Sequence, residues 1–101
     1  MKTKLIDLPR YHIFRWDKTL FLLNENIISI DDQGITHYFW EFHRVYKDGR
    51  TSYGAYRLYN KNALIDIEVE DLGDIYDWMK KNHPIRYKRE KWEASRPKKE
   101  D

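Results

Sequence analysis

The stretch from Ile35 to Asn60, ITHYFWEFHRVYKDGRTSYGAYRLYN, narrows what this chain can fold into more than any other. Two runs rich in aromatic and β-branched residues flank Asp48-Gly49, and Asp-Gly favours a two-residue hairpin turn because such turns need positive φ at both central positions. Counting outward from that turn predicts Lys47 opposite Arg50, Arg44 opposite Tyr53, Trp40 opposite Arg57 and Tyr38 opposite Tyr59. Side chains alternate between the faces of a strand. One face of the ribbon is therefore expected to carry Tyr38, Trp40, Phe42, Arg44, Tyr46, Tyr53 and Arg57. The other carries His37, Phe39, Glu41, His43, Val45, Tyr56 and Leu58. Eight of the sixteen aromatic residues of the chain fall in this one stretch, so most large side chains available for a core, or for a partner, are here.

The rest of the 101 residues suit a single β-rich domain with one modest core. Aromatic residues make up 16% and charged residues 36%, a combination that excludes a disordered chain, which lacks aromatics. No cysteine is present, so a disulfide framework and a thiolate metal site are both excluded. The start, MKTKLIDLP, lacks the apolar core of a signal peptide, and no run approaches the ~18 apolar residues of a membrane span. The expected location is cytoplasmic. The net charge of +2 conceals zoning. Residues 1–63 and 84–101 are basic, while residues 64–83 carry Asp66, Glu68, Glu70, Asp71, Asp74 and Asp77 against Lys80 and Lys81. An acidic band between basic zones opposes a uniformly polyanion-binding surface.

In chain order, Lys4–Leu8 reads as an edge strand closed by Pro9. Arg10–Trp16 and Thr19–Leu23 read as a tight hairpin around Asp17-Lys18, with Phe14 opposite Phe21 and Ile13 opposite Leu22. Asn24-Glu25-Asn26 is a turn signal before the β-branched run Ile27–Ile30, and Asp31–Gly34 is another. After the long hairpin, Ala63–Glu70 alternates apolar Ile65, Ile67 and Val69 with acidic residues, the pattern of a half-buried strand. Asp71–Asn82 is expected to be the one helix, capped by Asp71 with Asp74 at its third position and ended by Pro84. Leu72, Ile75, Tyr76 and Met79 form its apolar stripe. The expected architecture is α+β: an antiparallel β-meander of about six or seven strands, as a sheet or small open barrel, with a C-terminal helix (71–82) packed on it. Residues 1–84 form the domain and 85–101 a basic, partly disordered tail. About seven strands followed by one Trp-bearing helix is an order similar to that of a pleckstrin-homology-like barrel; the likeness is one of element order and carries no function.

No motif supplies chemistry. His37, Glu41 and His43 share a predicted face and His12 is a candidate further ligand, but zinc needs three or four converging groups. Asp66, Glu68 and Glu70 lie on a solvated row without a positioned partner for acid–base work. The four glycines are dispersed, which excludes a phosphate-cradling loop. No metal, no cofactor and no catalytic residue is expected.

Binding is what remains. Tyr, Trp and Arg dominate protein interfaces because they combine area with a polar handle, and eight Tyr, four Trp and eight Arg are too many for one small core to hide. The expected function is a small non-enzymatic protein-binding module of the kind used by phages or mobile elements to inhibit a host protein. Tyr38, Trp40, Arg44, Tyr53 and Arg57 are its expected contact residues. The alternative is a single-stranded nucleic-acid or nucleotide binder that stacks bases on the same aromatic–basic hairpin. A membrane partner is not expected, and a homodimer through a hairpin edge is compatible with both.

Overall fold

The structure, a computed structural model, describes residues 1–86. It contains six strands: β1 (Lys2–Lys4), β2 (His12–Trp16), β3 (Thr19–Ile30), β4 (Thr36–Arg44), β5 (Tyr56–Leu58) and β6 (Glu68–Asp74). Two helices, α1 (Lys61–Asp66) and α2 (Ile75–Asn82), and a 3-10 turn at Leu5–Asp7 complete the elements. All strand pairings are antiparallel, in the order β1-β6-β2-β3-β4-β5, and the sheet curls into a half-barrel. The expected α+β architecture holds, with β2 to β5 as a meander and β6 returning between β1 and β2. The basic tail from residue 87 onward lies outside the described residues.

The β2–β3 hairpin forms in the expected register, with Phe14 opposite Phe21 and Ile13 opposite Leu22. Its turn places Asp17 and Lys18 at φ 50° and 67°, the doubly left-handed geometry of a two-residue hairpin. Asn24-Glu25 is not a turn. The chain runs straight on as β3, and the extra residue is absorbed as a β-bulge between Leu23 and Glu25. A bulge exchanges the faces beyond it. Leu23 and Phe42 therefore face the same side as Asn26 and Trp40, whereas Glu25 and Glu41 face the other.

That inner face holds the core: Phe14, Phe21, Leu23, Trp40, Phe42 and Val69 from the sheet, with Leu5, Leu8 and Leu64 laid over them. Phe21 and Phe42 meet edge to face at 5.2 Å, and Phe14 stacks on Phe21 at 5.4 Å, geometries that add to simple burial. The β6–β2 part of the opposite face is covered by α2, which buries Met79.

Three elements begin elsewhere than the pattern predicts. The edge strand is Lys2–Lys4 rather than Lys4–Leu8, because Leu5–Asp7 turns as a 3-10 helix that buries Leu5. Residues 61–66 are helix, not strand, because the Asn60 side chain accepts from the backbone N–H groups of Asn62 and Ala63 and so caps a helical turn. Leu64 is the buried residue of that turn and Ile65 is exposed. The predicted helix 71–82 starts at Ile75 instead. Gly73 sits at φ +96°, outside helical geometry, and Asp71 and Asp74 pair with Phe14 and His12 of β2. Asp74, not Asp71, is the cap, accepting from Tyr76 and Asp77.

Candidate interaction surfaces

The long hairpin turns where expected but with a different register. Gly49 takes φ +87°, the Tyr46 carbonyl accepts from the Gly49 N–H, and Tyr46 pairs with Arg50 around a three-residue loop. Extra residues at Tyr53–Ala55 then shift the ladder again, so Trp40 stands opposite Leu58, Glu41 opposite Arg57 and Phe42 opposite Tyr56.

This separates the five expected contact residues. Trp40 is 1% exposed, and its Nε1–H donates to the Leu5 carbonyl at 3.1 Å; it is a core residue on the face opposite to Arg57. Tyr38 is half-buried against the same core, with the Lys61 ammonium 5.9 Å from its ring centre. Arg57 lies on the outer face and pairs with Glu41 at 2.9 Å. Hydrogen bonds from Asn24, and then from Arg57, hold the Glu41 carboxyl below its ordinary range. Arg44 and Tyr53 remain free of the core: the Arg44 guanidinium lies 5.3 Å from the Tyr46 ring centre, and Tyr53 is fully exposed. Ser52 ties these two together, its N–H donating to the Arg44 carbonyl and its hydroxyl accepting from the Arg44 N–H.

The four candidate metal ligands also part. His12 Nδ1 bonds Asp71 at 2.9 Å, His37 Nε2 bonds Asp31 at 2.8 Å, and His43 Nδ1 donates to the Ser52 carbonyl at 3.0 Å. No group of three or more metal-ligating side chains converges among the described residues. No described helix is long and apolar enough to cross a membrane.

Two surfaces stand out instead. The first is the distal half of the β3–β4 hairpin. β2 pairs with β3 only as far as Leu22, and β5 pairs with β4 only from Trp40 to Phe42. Residues 26–38 consequently form a two-stranded arm whose outer edges carry no further strand among the described residues. Ile27, Ile28, Ile30 and Ile35 are all exposed, Ile30 to 70%. On one face Ile28 lies beside Tyr38, and on the other Ile27 lies beside Phe39, whose ring meets Tyr59 at 5.7 Å.

The arm is stiffened at its tip. Asp31 Oδ1 accepts from the N–H groups of Gln33 and Ile35, both at 2.9 Å, and its other oxygen meets His37. The His37 hydrogen bond, followed by that of Ile35, lowers the Asp31 pKa. The Asp31 N–H donates to the Ile35 carbonyl. By the alternation of an antiparallel ladder, Ser29/His37 and Ile27/Phe39 are then the hydrogen-bonded pairs. The backbone groups of Ile28 and Ile30 point away from β4 and meet no described backbone partner. The sequence signal for this arm was the uncharged run Asn26–Ile30 itself, which a turn assigned at Asn24–Asn26 detached from its hairpin.

The second surface is an open groove of about 660 Å³ at the other end of β3, lined by Lys18, Arg44, Tyr46, Lys47, Asp48 and Arg50 among others.

No protein-family model matches the chain, and neither a curated protein nor a solved structure is similar to it.

Proposed function

We propose that this chain is a non-enzymatic binding module acting through protein–protein contact, with the β3–β4 arm as its contact surface and an extended strand of the partner as the occupant. The observation that supports it most is the unguarded edge at Ile28 and Ile30. Proteins blunt an exposed edge with lysine, proline, a bulge or an inward charge, and Asn26–Ile30 has none of these. An added strand would satisfy the outward backbone groups, while the exposed isoleucines grip its alternate side chains. Asp31 and Asp32 at the tip favour a partner strand carrying Lys or Arg near that end. A module that covers another protein's strand in this way masks it from other ligands, which fits an inhibitor of phage or mobile-element origin acting on a host protein.

The test uses nine-residue peptides alternating β-branched and polar residues, with and without terminal lysines, titrated while amide hydrogen exchange is followed by NMR. The expected result is new protection at the Ile28 and Ile30 amides, tighter binding of the lysine-bearing peptides, and at least tenfold weaker binding by an Ile28→Lys/Ile30→Lys variant. Binding that leaves those two amides unprotected, or is unchanged in the variant, refutes the reading. A concentration-dependent dimer that the same variant dissolves would assign the edge to a second copy of this chain.

A further inference from the structure

We infer that the groove between the Asp17-Lys18 turn and the Lys47–Gly49 loop is a second binding site, for the phosphate backbone of single-stranded nucleic acid. Four cations line it: Lys18, Arg44, Lys47 and Arg50. Asp48 engages Arg50 through a hydrogen bond of 2.6 Å, and hydrogen bonds from the Arg50 backbone N–H and then its side chain hold the Asp48 carboxyl below its ordinary range. The other three cations have no carboxylate partner among the described residues. Asp17 sits beside the groove, lining the adjoining depression with Trp16, so the positive excess is concentrated on the side of Lys18, Arg44 and Lys47.

Lys18 is held at φ 67° by the two-residue hairpin turn, which places it on the lining of the groove among like charges. A ligand that neutralises those charges must be anionic and extended, since the groove is open. Phosphates suit it, because guanidinium groups bind them in a matching fork and lysines act as point charges.

Aromatic side chains favour a nucleic acid over an acidic polypeptide. Tyr46 borders the groove with Arg44 over one side of its ring, and Tyr53, fully exposed, follows Ser52, which is bonded to Arg44. Bases stack on such rings without regard to sequence. This site is separate from the arm and does not depend on it.

The experiment is fluorescence anisotropy with labelled dT15, using the full chain at 50 and 200 mM salt and a 15-residue polyglutamate as competitor. Three unpartnered cations predict a slope of log K against log salt of roughly −2, hence about a 20-fold loss over that range. Lys18→Gly should reduce the slope by about 0.7 and weaken binding several-fold without lowering the melting temperature, because glycine adopts the positive φ of that turn without penalty. Tyr46→Leu should weaken binding at least about fivefold. Absence of binding at 50 mM salt overturns the inference. So does unchanged affinity in Lys18→Gly/Lys47→Ala, which would move binding to the basic residues beyond 86. Equal competition by polyglutamate, or indifference to Tyr46→Leu, would make the groove a site for acidic polypeptide instead.

Discussion

Replacing Trp40 and Arg57 separately by alanine discriminates between the register seen in the structure and the one that turn-counting predicts. In the counted register the two residues stand opposite each other on one exposed face, and both substitutions would be mild. In the structure Trp40 is buried on the inner face and Arg57 is half-exposed on the outer one. Truncating a buried Trp costs about 3–5 kcal/mol. Losing the indole donor adds little beyond that, since the Leu5 carbonyl still accepts from the Leu8 N–H at 3.2 Å. A domain of this size has about 5–15 kcal/mol of stability in total. With a urea m-value of about 1–3 kcal/mol/M, Trp40→Ala should lower the urea midpoint by about 2 M, leaving a marginal fold. Arg57→Ala removes a solvent-screened pair with Glu41 and should cost under about 1 kcal/mol, a midpoint shift of at most about 0.5 M. If Trp40→Ala accumulates too little folded protein, Trp40→Phe gives the same ordering at about 1–2 kcal/mol. Equal, small shifts for Trp40→Ala and Arg57→Ala would refute the register and everything argued from it.

Three further outcomes follow from local geometry. Asn60→Ala and Asp74→Ala each remove an N-cap and should cost about 1 kcal/mol, read as faster amide exchange confined to α1 in the first case and α2 in the second. Gly73→Ala meets no neighbouring atom within 4 Å, so its expected cost of about 1–2 kcal/mol comes from the left-handed backbone alone; a stabilised variant would show that Gly73 is not held at positive φ. The folded pKa of Asp31 lies below its ordinary value of 3.8. The tip bonds are therefore complete above about pH 4 and are lost as pH falls through the lowered folded pKa, which the amide shifts of Gln33 and Ile35 should report. Shifts independent of pH down to 2 would contradict that arrangement.

Much of the fold is written in short-range signals. Asp17-Lys18 and Asp48-Gly49 both turn the chain, and the β2–β3 register follows by counting because no bulge intervenes. Bulges have a weaker signature. Asn24-Glu25 carries turn residues but is embedded in a longer strand, where Asn24 bonds Glu41 and Arg10 bonds both the Asn24 carbonyl and Glu25. That one residue reverses the parity of half of β3, and the extra residues near Tyr53 put Arg57 on the outer face, while Trp40 goes inward with Phe42 by the plain alternation of β4. Residues 61–70 mislead for a different reason. Alternation of Ile65, Ile67 and Val69 matches a strand, yet Leu64 is the side chain with a buried place to go, and the Asn60 cap supplies the first turn. Tyr38, Trp40 and Arg44 share a face of β4 as expected, but with Phe42 between them it is the core face; the extra residues near Tyr53 put Arg57 on the other face, while Arg44 and Tyr53, closest to the turn, are exposed.

The bulge at Asn24-Glu25 also explains how one hairpin can present two unlike surfaces. On the Thr19 side of it, the inner face of β3 is filled by Phe21 and Leu23, and the strand's end meets a cluster of cations at Lys18, Arg44 and Lys47. Past the bulge the fully buried core stops at Trp40, and the strand continues with isoleucines that are exposed among the described residues. Twelve residues of β3 at ~3.3 Å each place the arm's tip about 35 Å from the groove. That exceeds the ~8–10 Å over which exposed charges interact in physiological salt. The two sites should therefore be thermodynamically independent: Ile28→Lys/Ile30→Lys should leave dT15 affinity within twofold, and Lys18→Gly should leave peptide binding at the arm unchanged. Effects of distant sites normally add. A tenfold loss of dT15 binding in the arm variant would mean that oligonucleotide and peptide share one surface, and the separation of the two readings would fall.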